Sequence, residues 1–343
     1  MNFNPECEDL RIGVVGGGSW GTALARLLAL KGLCMDWWIF EEEVCRQISE
    51  QHENKVFLPS VILPDHLKPS NDLSAVVRDK DLLLIVVPSH VMRTITQQIK
   101  PHLAPNTLVV SASKGIENQT QLTMSGVIKE TLPQLTDTNL AVLSGPTFAS
   151  EVARNVPTVV TVAAKDLSSA QRVQRAFATP YFRVYTHDDI IGVELGGAVK
   201  NVIAIAAGMV DGIGLGLNTR AALITRGLAE IMRLGQAMGA KPRTFSGSAG
   251  LGDLVLTCTG DLSRNHTIGK KIGQGMRLDE ILKEMRMVAE GVKTAKSVYN
   301  LSRRLGVEMP ISHAVYHILY ENLSPKEAVG LLMTRDLKNE WDE

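Results

Sequence analysis

The sequence predicts an α/β domain with a doubly wound sheet, followed by an all-helical domain. Short apolar segments alternate with helical segments as far as residue 189, and this alternation is typical of a doubly wound sheet. A glycine-rich turn directly follows the first apolar segment. Beyond residue 190 the strand pattern fades and helical periodicity dominates. We therefore predict an N-terminal domain of residues 1–189 and a C-terminal domain of residues 190–343.

The composition is that of a globular protein without a charge bias. The 343 residues include 36 Lys+Arg and 36 Asp+Glu, so no net charge attracts the molecule to nucleic acid or to an acidic membrane. The N-terminus lacks the basic and apolar regions of a secretory signal. No apolar run reaches the roughly 18 residues that a membrane span needs. We expect a cytoplasmic protein with no membrane span and no nucleic-acid partner.

The four cysteines follow no metal-binding spacing. They are Cys7, Cys34, Cys45 and Cys258. Disulfide frameworks are typical of short secreted chains, so we expect reduced thiols here and no metal site.

The first predicted element is a strand at Ile12–Val15, which runs into the pattern Gly16-x-Gly18-x-x-Gly21 and then a helix ending near Gly32. Strand, glycine turn and helix in this order are the context of a Rossmann-like dinucleotide site. The first glycine makes the turn, the second admits the pyrophosphate, and the third lets helix and strand pack closely. The helix N-terminus would face the phosphates. We favour this interpretation over a flexible glycine loop.

The next predicted strand, Met35–Phe40, carries the cofactor-selecting position at its end. Glu41 lies 20 residues beyond Gly21, where an acid would bind a ribose 2′-hydroxyl and select NAD. Alternatively, Phe40 occupies the contact position, and Arg46 is the nearest cation for a 2′-phosphate. These residues leave NAD and NADP both open.

Further strands should bring polar groups to one edge of the sheet. They are predicted at Asp81–Val87, Leu108–Ser113, Leu140–Leu143, Thr158–Ala163 and Tyr181–Tyr185, with a helix at Ser168–Ala178. Ligands lie outside the carboxyl ends of such strands. Pro88 and Ser89 could line the cofactor cleft there, and Lys114 follows another strand end. Lys114 is either a cleft residue or a solvated loop lysine, and Thr147 could offer a hydroxyl to a ligand.

The second half should be helical. Helices are predicted at Glu194–Met209, Thr219–Met238, Leu278–Glu284, Thr294–Leu305 and Ala314–Asn322. Another begins at Ser324 as the cap, with Pro325 in the first turn and Glu327 completing a capping box. The last residues, from Asp336 onward, should fray.

Lys200 lies inside the apolar segment Ile191–Arg226, and the nearest Lys or Arg residues along the chain are Arg183 and Arg220. Its side chain either snorkels to water or is a partly desolvated amine whose pKa is lowered toward the working pH, where it can exchange a proton with a substrate.

A second cluster of candidate site residues lies in a segment that we expect to be rich in loops and that begins with the glycines of 247–252. Asp253 is either a helix N-cap or the partner that orients Lys200. Arg264 and Asn265 either bind a phosphate or lie on a surface loop. Glu290 is either a helix start or a group at the rim of the cleft.

Together these motifs closely resemble the NAD(P)-dependent glycerol-3-phosphate dehydrogenases of the bacterial type. The matching segments span almost the whole chain in order: GGGSWGTALA (16–25), VVPSH (86–90), SKG (113–115), SGPTFA (144–149), ELGGAVKNVIAIAAGM (194–209), NTRAALITRGLAE (218–230), AGLGDLVLTCT (249–259), SRN (263–265) and EG (290–291).

The resemblance implies a Rossmann-like domain and an all-helical domain with the active site between them. It implies reversible hydride transfer between NADPH or NADH and dihydroxyacetone phosphate, giving sn-glycerol 3-phosphate for phospholipid synthesis. Lys200 would accept the C2 hydroxyl proton, with Asp253 as its catalytic partner. A homodimer is also implied. The family slightly favours NADPH over NADH as the cofactor. Family members often carry a basic or His residue near the position of Phe40, whereas here Phe40 is followed by Glu41, Glu42 and Glu43.

The resemblance also implies two sets of binding residues. The substrate would contact Lys114, Gly145, Thr147, Lys200, Asp253, Ser263, Arg264 and Asn265. The dinucleotide would contact Gly16, Gly18, Ser19, Trp20, Gly21, Phe40, Lys114, Ala149, Arg264, Val288 and Glu290. Two alternatives remain: a related 3-hydroxy acid dehydrogenase, and a dinucleotide sensor that has lost its chemistry.

Overall fold

A single mixed sheet organises residues 10–187 of the computed structural model, which describes residues 10–285 and 289–340. Its strands, with one separate hairpin, are β1 (Ile12–Val15), β2 (Met35–Trp38), β3 (Glu53–Asn54), β4 (Leu58–Ile62), β5 (Pro69–Ser70), β6 (Leu82–Ile85), β7 (Leu108–Ser111), β8 (Leu140–Ser144), β9 (Thr158–Ala164) and β10 (Phe182–His187). The sheet order is β10-β9-β8-β7-β6-β1-β2-β5, and β3 pairs with β4. All neighbours in the sheet are parallel except β8 and β9, which are antiparallel.

Helices cover both faces of this sheet. They are α1 (Ser19–Leu30), α2 (Glu42–Gln51), α3 (Leu73–Val77), α4 (Met92–Ile99), α5 (Met124–Thr131), α6 (Ala149–Ala153) and α7 (Leu167–Phe177). On β1, Ile12 and Val14 belong to the core under α1 and α7, whereas Val15 belongs to the core under α3, α4 and α5. Successive strand residues point to opposite faces, so both faces are buried and the central strands are apolar throughout. The predicted doubly wound fold is confirmed.

The second part of the described chain is helical. Its helices are α8 (Ile190–Gly212), α9 (Gly216–Ala237), α10 (Asp253–Thr259), α11 (Arg264–Gly273), α12 (Leu278–Glu284), α13 (Glu290–Leu305), α14 (Pro310–Glu321) and α15 (Pro325–Met333). The central helix is α8, which packs against α9, α10, α11, α13 and α14. By length and composition α8 could cross a membrane, but 94% of its most apolar window is buried inside the protein. We therefore interpret α8 as a core helix.

Glycines let α8 and α11 approach closely. A Cβ on Gly208 would lie 2.0 Å from the carbonyl oxygen of His266, and a Cβ on Gly269 would lie 1.9 Å from that of Ile205. Neither distance is sterically possible, so any side chain at these positions would push the helices apart. The close crossing holds the N-terminus of α11 beside the helix that carries Lys200.

The main correction concerns residues 247–265, where the sequence suggested a segment rich in loops. The structure has a π-helical turn at Ser248–Gly252, then α10 and α11. Buried side chains on their inner faces, such as Leu254 and Ile268, stabilise these short helices. The Ser263 hydroxyl caps α11 by accepting a hydrogen bond from the His266 N–H at 3.2 Å. Tertiary packing therefore overrides the glycine-rich local signal.

Other differences are at element boundaries. The cap of α8 is Asp189, which accepts a hydrogen bond from the Gly192 N–H at 2.9 Å, so the helix begins earlier than its apolar periodicity suggested. Likewise, α13 begins at Glu290 rather than Thr294. The short strands β3, β4 and β5 were not predicted, since two to five residues carry little periodicity. The Ser324 cap is confirmed by its hydrogen bond from the Glu327 N–H at 3.1 Å.

Candidate active site

Two lysines converge on one buried carboxylate where the sheet and the helical part meet. Asp253 is fully buried, and its Oδ1 accepts a hydrogen bond from Lys200 Nζ. Its Oδ2 accepts one from Lys114 Nζ at 2.7 Å. Lys200 also donates to the Thr257 hydroxyl at 2.7 Å. The structure thus brings Lys114, Lys200 and Asp253, which are distant in sequence, into one hydrogen-bonded group.

Local packing explains how Asp253 reaches Lys200. A Cβ on Gly196 of α8 would lie 2.4 Å from the carbonyl oxygen of Ala249, so the π-helical turn before Asp253 rests directly on the α8 backbone. Asp253 is the first residue of α10, and the N-cap is Gly252. The N-cap interpretation of Asp253 is therefore wrong, because its carboxylate is engaged by the two ammonium groups.

Burial and neighbouring charges change the pKa of the Lys200 amine. The residue is only 6% exposed, so the snorkelling alternative is wrong. Burial lowers the pKa of Lys200 to about 8, because water no longer solvates the ammonium; the Asp253 charge opposes this shift and the Lys114 charge adds to it. The site therefore holds an amine that changes protonation state near neutral pH.

The turn after β8 supports Lys114. Its Nζ donates a second hydrogen bond to the carbonyl oxygen of Gly145 at 3.1 Å, and the Thr147 hydroxyl donates to the same oxygen at 3.2 Å. Gly145 has a φ of +156°, and a Cβ there would lie 2.9 Å from Val160 Cα. Glycine is thus required at Gly145, and the turn fixes the Lys114 ammonium beside Asp253.

The N-terminus of α11 carries the next group of candidate residues. The Ser263 hydroxyl is occupied in capping the helix. Asn265 is buried, and its Oδ1 accepts a hydrogen bond from the Gly291 N–H at 3.0 Å. Arg264 is exposed and is the first residue of α11. It therefore presents a cation at a helix N-terminus, and this arrangement suits an anionic ligand.

Glu290 links the two parts of the molecule. Its carboxylate accepts hydrogen bonds from the Ser89 hydroxyl at 2.5 Å and the Ser89 N–H at 3.3 Å. Burial raises the pKa of Glu290, and the hydrogen bonds from Ser89 oppose that shift. The helix-start alternative is confirmed, because Glu290 begins α13. A place at the rim of the cleft stays a prediction.

The glycine turn has the shape of a pyrophosphate cradle. A Cβ on Gly16, at φ +127°, would lie 2.2 Å from the Val86 carbonyl oxygen, and one on Gly21 would lie 2.3 Å from that of Gly16. A Cβ on Gly18 would meet nothing within 4 Å. The first and third glycines are therefore required by packing, whereas Gly18 faces open space at the N-terminus of α1. This open face fits the phosphates of a dinucleotide.

Residues around this turn complete the candidate cofactor surface. The Ser19 hydroxyl donates to the Phe57 carbonyl oxygen at 2.6 Å. Trp20 Nε1 is buried and has no hydrogen-bond acceptor among the described residues, so a ligand oxygen could satisfy it. Ala149 begins α6 and packs against the core beneath α1. The predicted contact Val288 lies outside the described residues.

The residues after β2, where the adenine ribose of a dinucleotide would bind, are compatible with both NAD and NADP. Phe40 is 74% exposed, and its ring lies 6.1 Å from that of Trp38. Glu41 is the N-cap residue of α2, and Arg46 forms an ion pair with Glu43. An arginine that pairs with a neighbouring glutamate is less suited to a 2′-phosphate than a free one.

Thr257 is a site residue that the sequence interpretation assigned no role. Its hydroxyl accepts from Lys200 and donates to the Asp253 backbone oxygen at 2.6 Å. The available signal was its spacing, since a residue four positions after Asp253 lies on the same helix face.

These features define a dinucleotide-dependent dehydrogenase: a glycine-turn cofactor cradle follows β1, and a buried lysine–carboxylate group includes Lys114, which follows β7 of the same sheet. The family model described as the NAD-dependent glycerol-3-phosphate dehydrogenase N-terminus matches residues 11–170. The model for the C-terminus of the same family matches residues 189–330. The chain therefore belongs to the NAD-dependent glycerol-3-phosphate dehydrogenase family, is an oxidoreductase and uses NADH or NADPH.

Individual relatives agree with this assignment. Glycerol-3-phosphate dehydrogenase [NAD(P)+] of Syntrophobacter fumaroxidans is 57% identical over 331 residues, covering 96% of this chain and 97% of the relative. The crystal structure of the Coxiella burnetii glycerol-3-phosphate dehydrogenase has a TM-score of 0.91 at 39% identity, covering 95% of this chain and 99% of the other. The Saccharomyces cerevisiae enzyme has a TM-score of 0.81 at 31% identity, covering 94% and 99%.

Proposed function

We propose that this chain catalyses reversible reduction of dihydroxyacetone phosphate to sn-glycerol 3-phosphate with NADPH or NADH. The observation that carries the proposal is the buried Lys200 amine, hydrogen-bonded to Asp253 beside Lys114. Hydride transfer to a ketone carbon needs a proton at the carbonyl oxygen, and a buried amine with a pKa of about 8 can supply it.

When bound, the dinucleotide supplies or accepts the hydride at C2. In reduction, the Lys200 ammonium donates a proton to the oxygen on C2 as that oxygen becomes an alkoxide, leaving a neutral amine. In oxidation, the neutral amine takes the C2 hydroxyl proton as the hydride leaves. Asp253 and Thr257 orient Nζ through their hydrogen bonds, and the Lys114 ammonium adds positive charge that favours the developing alkoxide.

The substrate phosphate is proposed to bind at the N-terminus of α11. The positive charge of Arg264 and the helix dipole favour a dianion there, and Ser263 and Asn265 fix that helix end. On the opposite side, Lys114, Gly145 and Thr147 would contact the carbon chain. Binding energy from the phosphate, remote from C2, can hold the reacting carbon in place.

The dinucleotide is proposed to lie along the glycine turn. Its contacts would be Gly16, Gly18, Ser19, Trp20, Gly21, Phe40, Lys114, Ala149, Arg264, Val288 and Glu290. The family tips the preference slightly toward NADPH, whereas the acidic residues after Phe40 oppose a 2′-phosphate. The ratio of activities with the two cofactors is the discriminating quantity.

We further propose a setting for this activity. The product would enter glycerophospholipid synthesis in the cytoplasm, in keeping with the free thiols of Cys34, Cys45 and Cys258. Residues 1–189 would act as the cofactor domain and residues 190–343 as the substrate domain. The working form would be a homodimer, without nucleic-acid partners.

The proposed activity is tested by following absorbance of the reduced nicotinamide with dihydroxyacetone phosphate. We expect rapid oxidation of NADPH, NADH or both, and little oxidation with unphosphorylated dihydroxyacetone or with 3-oxo acids. Faster turnover of 3-oxo acids would favour the hydroxy acid dehydrogenase instead. Cofactor binding without any turnover would favour the sensor.

The pH dependence should invert between the two directions. Glycerol 3-phosphate oxidation needs neutral Lys200, so kcat/KM should rise as pH increases through about 8. Reduction needs the ammonium form, so kcat/KM should fall over the same interval. The measurement is a pair of profiles from pH 6 to about 10, a range chosen to bracket the lysine pKa. Parallel profiles in both directions would contradict a proton-transferring Lys200.

A further inference from the structure

Helix α8 meets the sheet-containing part of the molecule through a second buried carboxylate. Glu194 is 8% exposed, and its oxygens accept hydrogen bonds from the Ser125 N–H, at 2.7 Å, and the Ser125 hydroxyl. Ser125 is the second residue of α5. The carboxylate therefore lies at a helix N-terminus, where the backbone dipole favours negative charge.

This contact fixes α8 more precisely than its apolar contacts can. Ile190 and Val193 of α8 pack with Val142 and Ala163 of the sheet, and such contacts are non-directional. Hydrogen bonds weaken steeply when misaligned. Within residues 10–285 and 289–340, Glu194 is the one α8 side chain with a hydrogen bond to the sheet-containing part.

Lys200 lies six residues after Glu194, about 9 Å further along the same helix. Lys200 belongs to the helical part, whereas Lys114 and the glycine turn belong to the sheet-containing part. The axial and rotational setting of α8 therefore decides where the Lys200 amine meets a substrate held against the cofactor. A displacement of about 1 Å at a reacting group can cost about 100-fold in rate.

We propose that Glu194 is a positioning residue for the reaction, acting through α8 on Lys200 and touching neither substrate nor cofactor. Its hydrogen bonds to Ser125 set α8 against the sheet-containing part and so hold the amine at its working distance. This inference rests on the proposed function, since it assigns Glu194 a role in that proton transfer.

Glu230 provides a matched control. It is 1% exposed, and its carboxylate accepts hydrogen bonds from the Ile311 N–H at 2.6 Å, the Ser312 N–H at 3.0 Å and the Ser312 hydroxyl at 2.8 Å. It thus caps the N-terminus of α14 with the same chemistry. Glu230 lies in α9 and its hydrogen-bond donors lie in α14, so both sides of this contact belong to the helical part. Weakening the contact should therefore lower the stability of the protein without releasing α8 from the sheet.

The test compares Glu194→Gln, Ser125→Ala and Glu230→Gln in the full chain. We expect Glu194→Gln to lower kcat for reduction about tenfold, with cofactor Kd within about twofold and a larger primary isotope effect from the deuterated cofactor, because the chemical step becomes more rate-limiting. Ser125→Ala removes only the hydroxyl and should give a smaller fall of the same kind. Glu230→Gln should lower Tm while leaving kcat near the wild-type value.

Equal kcat in Glu194→Gln and Glu230→Gln at similar losses of Tm would overturn the proposal. If Glu194→Gln does not fold, Ser125→Ala tests the proposal instead, because this variant keeps the backbone N–H that donates to Glu194. An unchanged kcat and isotope effect in Ser125→Ala would also overturn the proposal. Hydrogen exchange over residues 190–200 needs no turnover. Faster exchange in Glu194→Gln alone would support the anchor, and unchanged exchange would overturn it, even if the wild-type assay refuted the proposed substrate.

Discussion

Lys200→Met will lower kcat by about 1,000-fold in both directions while changing cofactor Kd by less than about threefold. General acid–base groups contribute about 100- to 10,000-fold to turnover, and methionine matches the length of the lysine stem without a proton to transfer. The amine also holds one oxygen of the fully buried Asp253. The expected result is thus an inactive protein that still binds dinucleotide, measured by steady-state kinetics and by quenching of protein fluorescence.

Two comparisons make this prediction decisive. Removing Lys200 leaves Asp253 paired with Lys114 alone. The variant's Tm must therefore be measured, since losing one partner of a buried charge is destabilising. Lys200→Met/Asp253→Asn removes both charges and should regain stability without regaining turnover. Wild-type kcat in a folded Lys200→Met protein would refute the proton-transfer role.

Gly18→Val will weaken cofactor binding by more than about 100-fold with little change in Tm. Gly18 has φ −67° and ψ 179°, a conformation that any residue adopts, and a Cβ there meets nothing within 4 Å. The fold therefore tolerates the side chain. The same space is where the second glycine of the motif admits the pyrophosphate, so the valine methyl groups would displace the ligand. Titration calorimetry with NADH and NADPH measures the loss.

Matched glycine variants separate occlusion from misfolding. Gly330→Ala lies in α15, where a Cβ also meets nothing within 4 Å, and should leave both Tm and cofactor Kd unchanged. Gly16→Ala places a Cβ 2.2 Å from the Val86 carbonyl oxygen and should lower Tm strongly. Unchanged cofactor affinity in Gly18→Val would show that the dinucleotide does not lie along this turn.

Local sequence pattern was most informative where one signal was repeated over many residues. The apolar strands β1, β6 and β7 and the long helices α8 and α9 were predicted close to their observed positions. The strands and α8 are buried on all sides and form continuous apolar segments, whereas α9 buries one face with helical spacing. Short elements such as β5 and α6 were missed, since their stability comes from contacts with distant residues. At 247–265 glycines suggested loops, whereas the structure forms a π-helical turn and then begins α10 and α11 there. Gly250 is required in that turn, because a Cβ would lie 2.2 Å from the Phe245 carbonyl oxygen.

The sequence by itself determined the doubly wound fold of the first part, the helical character of the second part, the glycine turn and the family. It also determined which residue types could transfer a proton or bind a phosphate, because each depends on side-chain chemistry and local spacing. Only the tertiary structure decided that Lys200 is buried, that Asp253 bridges Lys200 and Lys114 rather than capping a helix, and that Glu194 anchors α8 to α5. Burial and long-range contacts set the charge state and position of these groups, and neither is encoded in the spacing of neighbours along the chain.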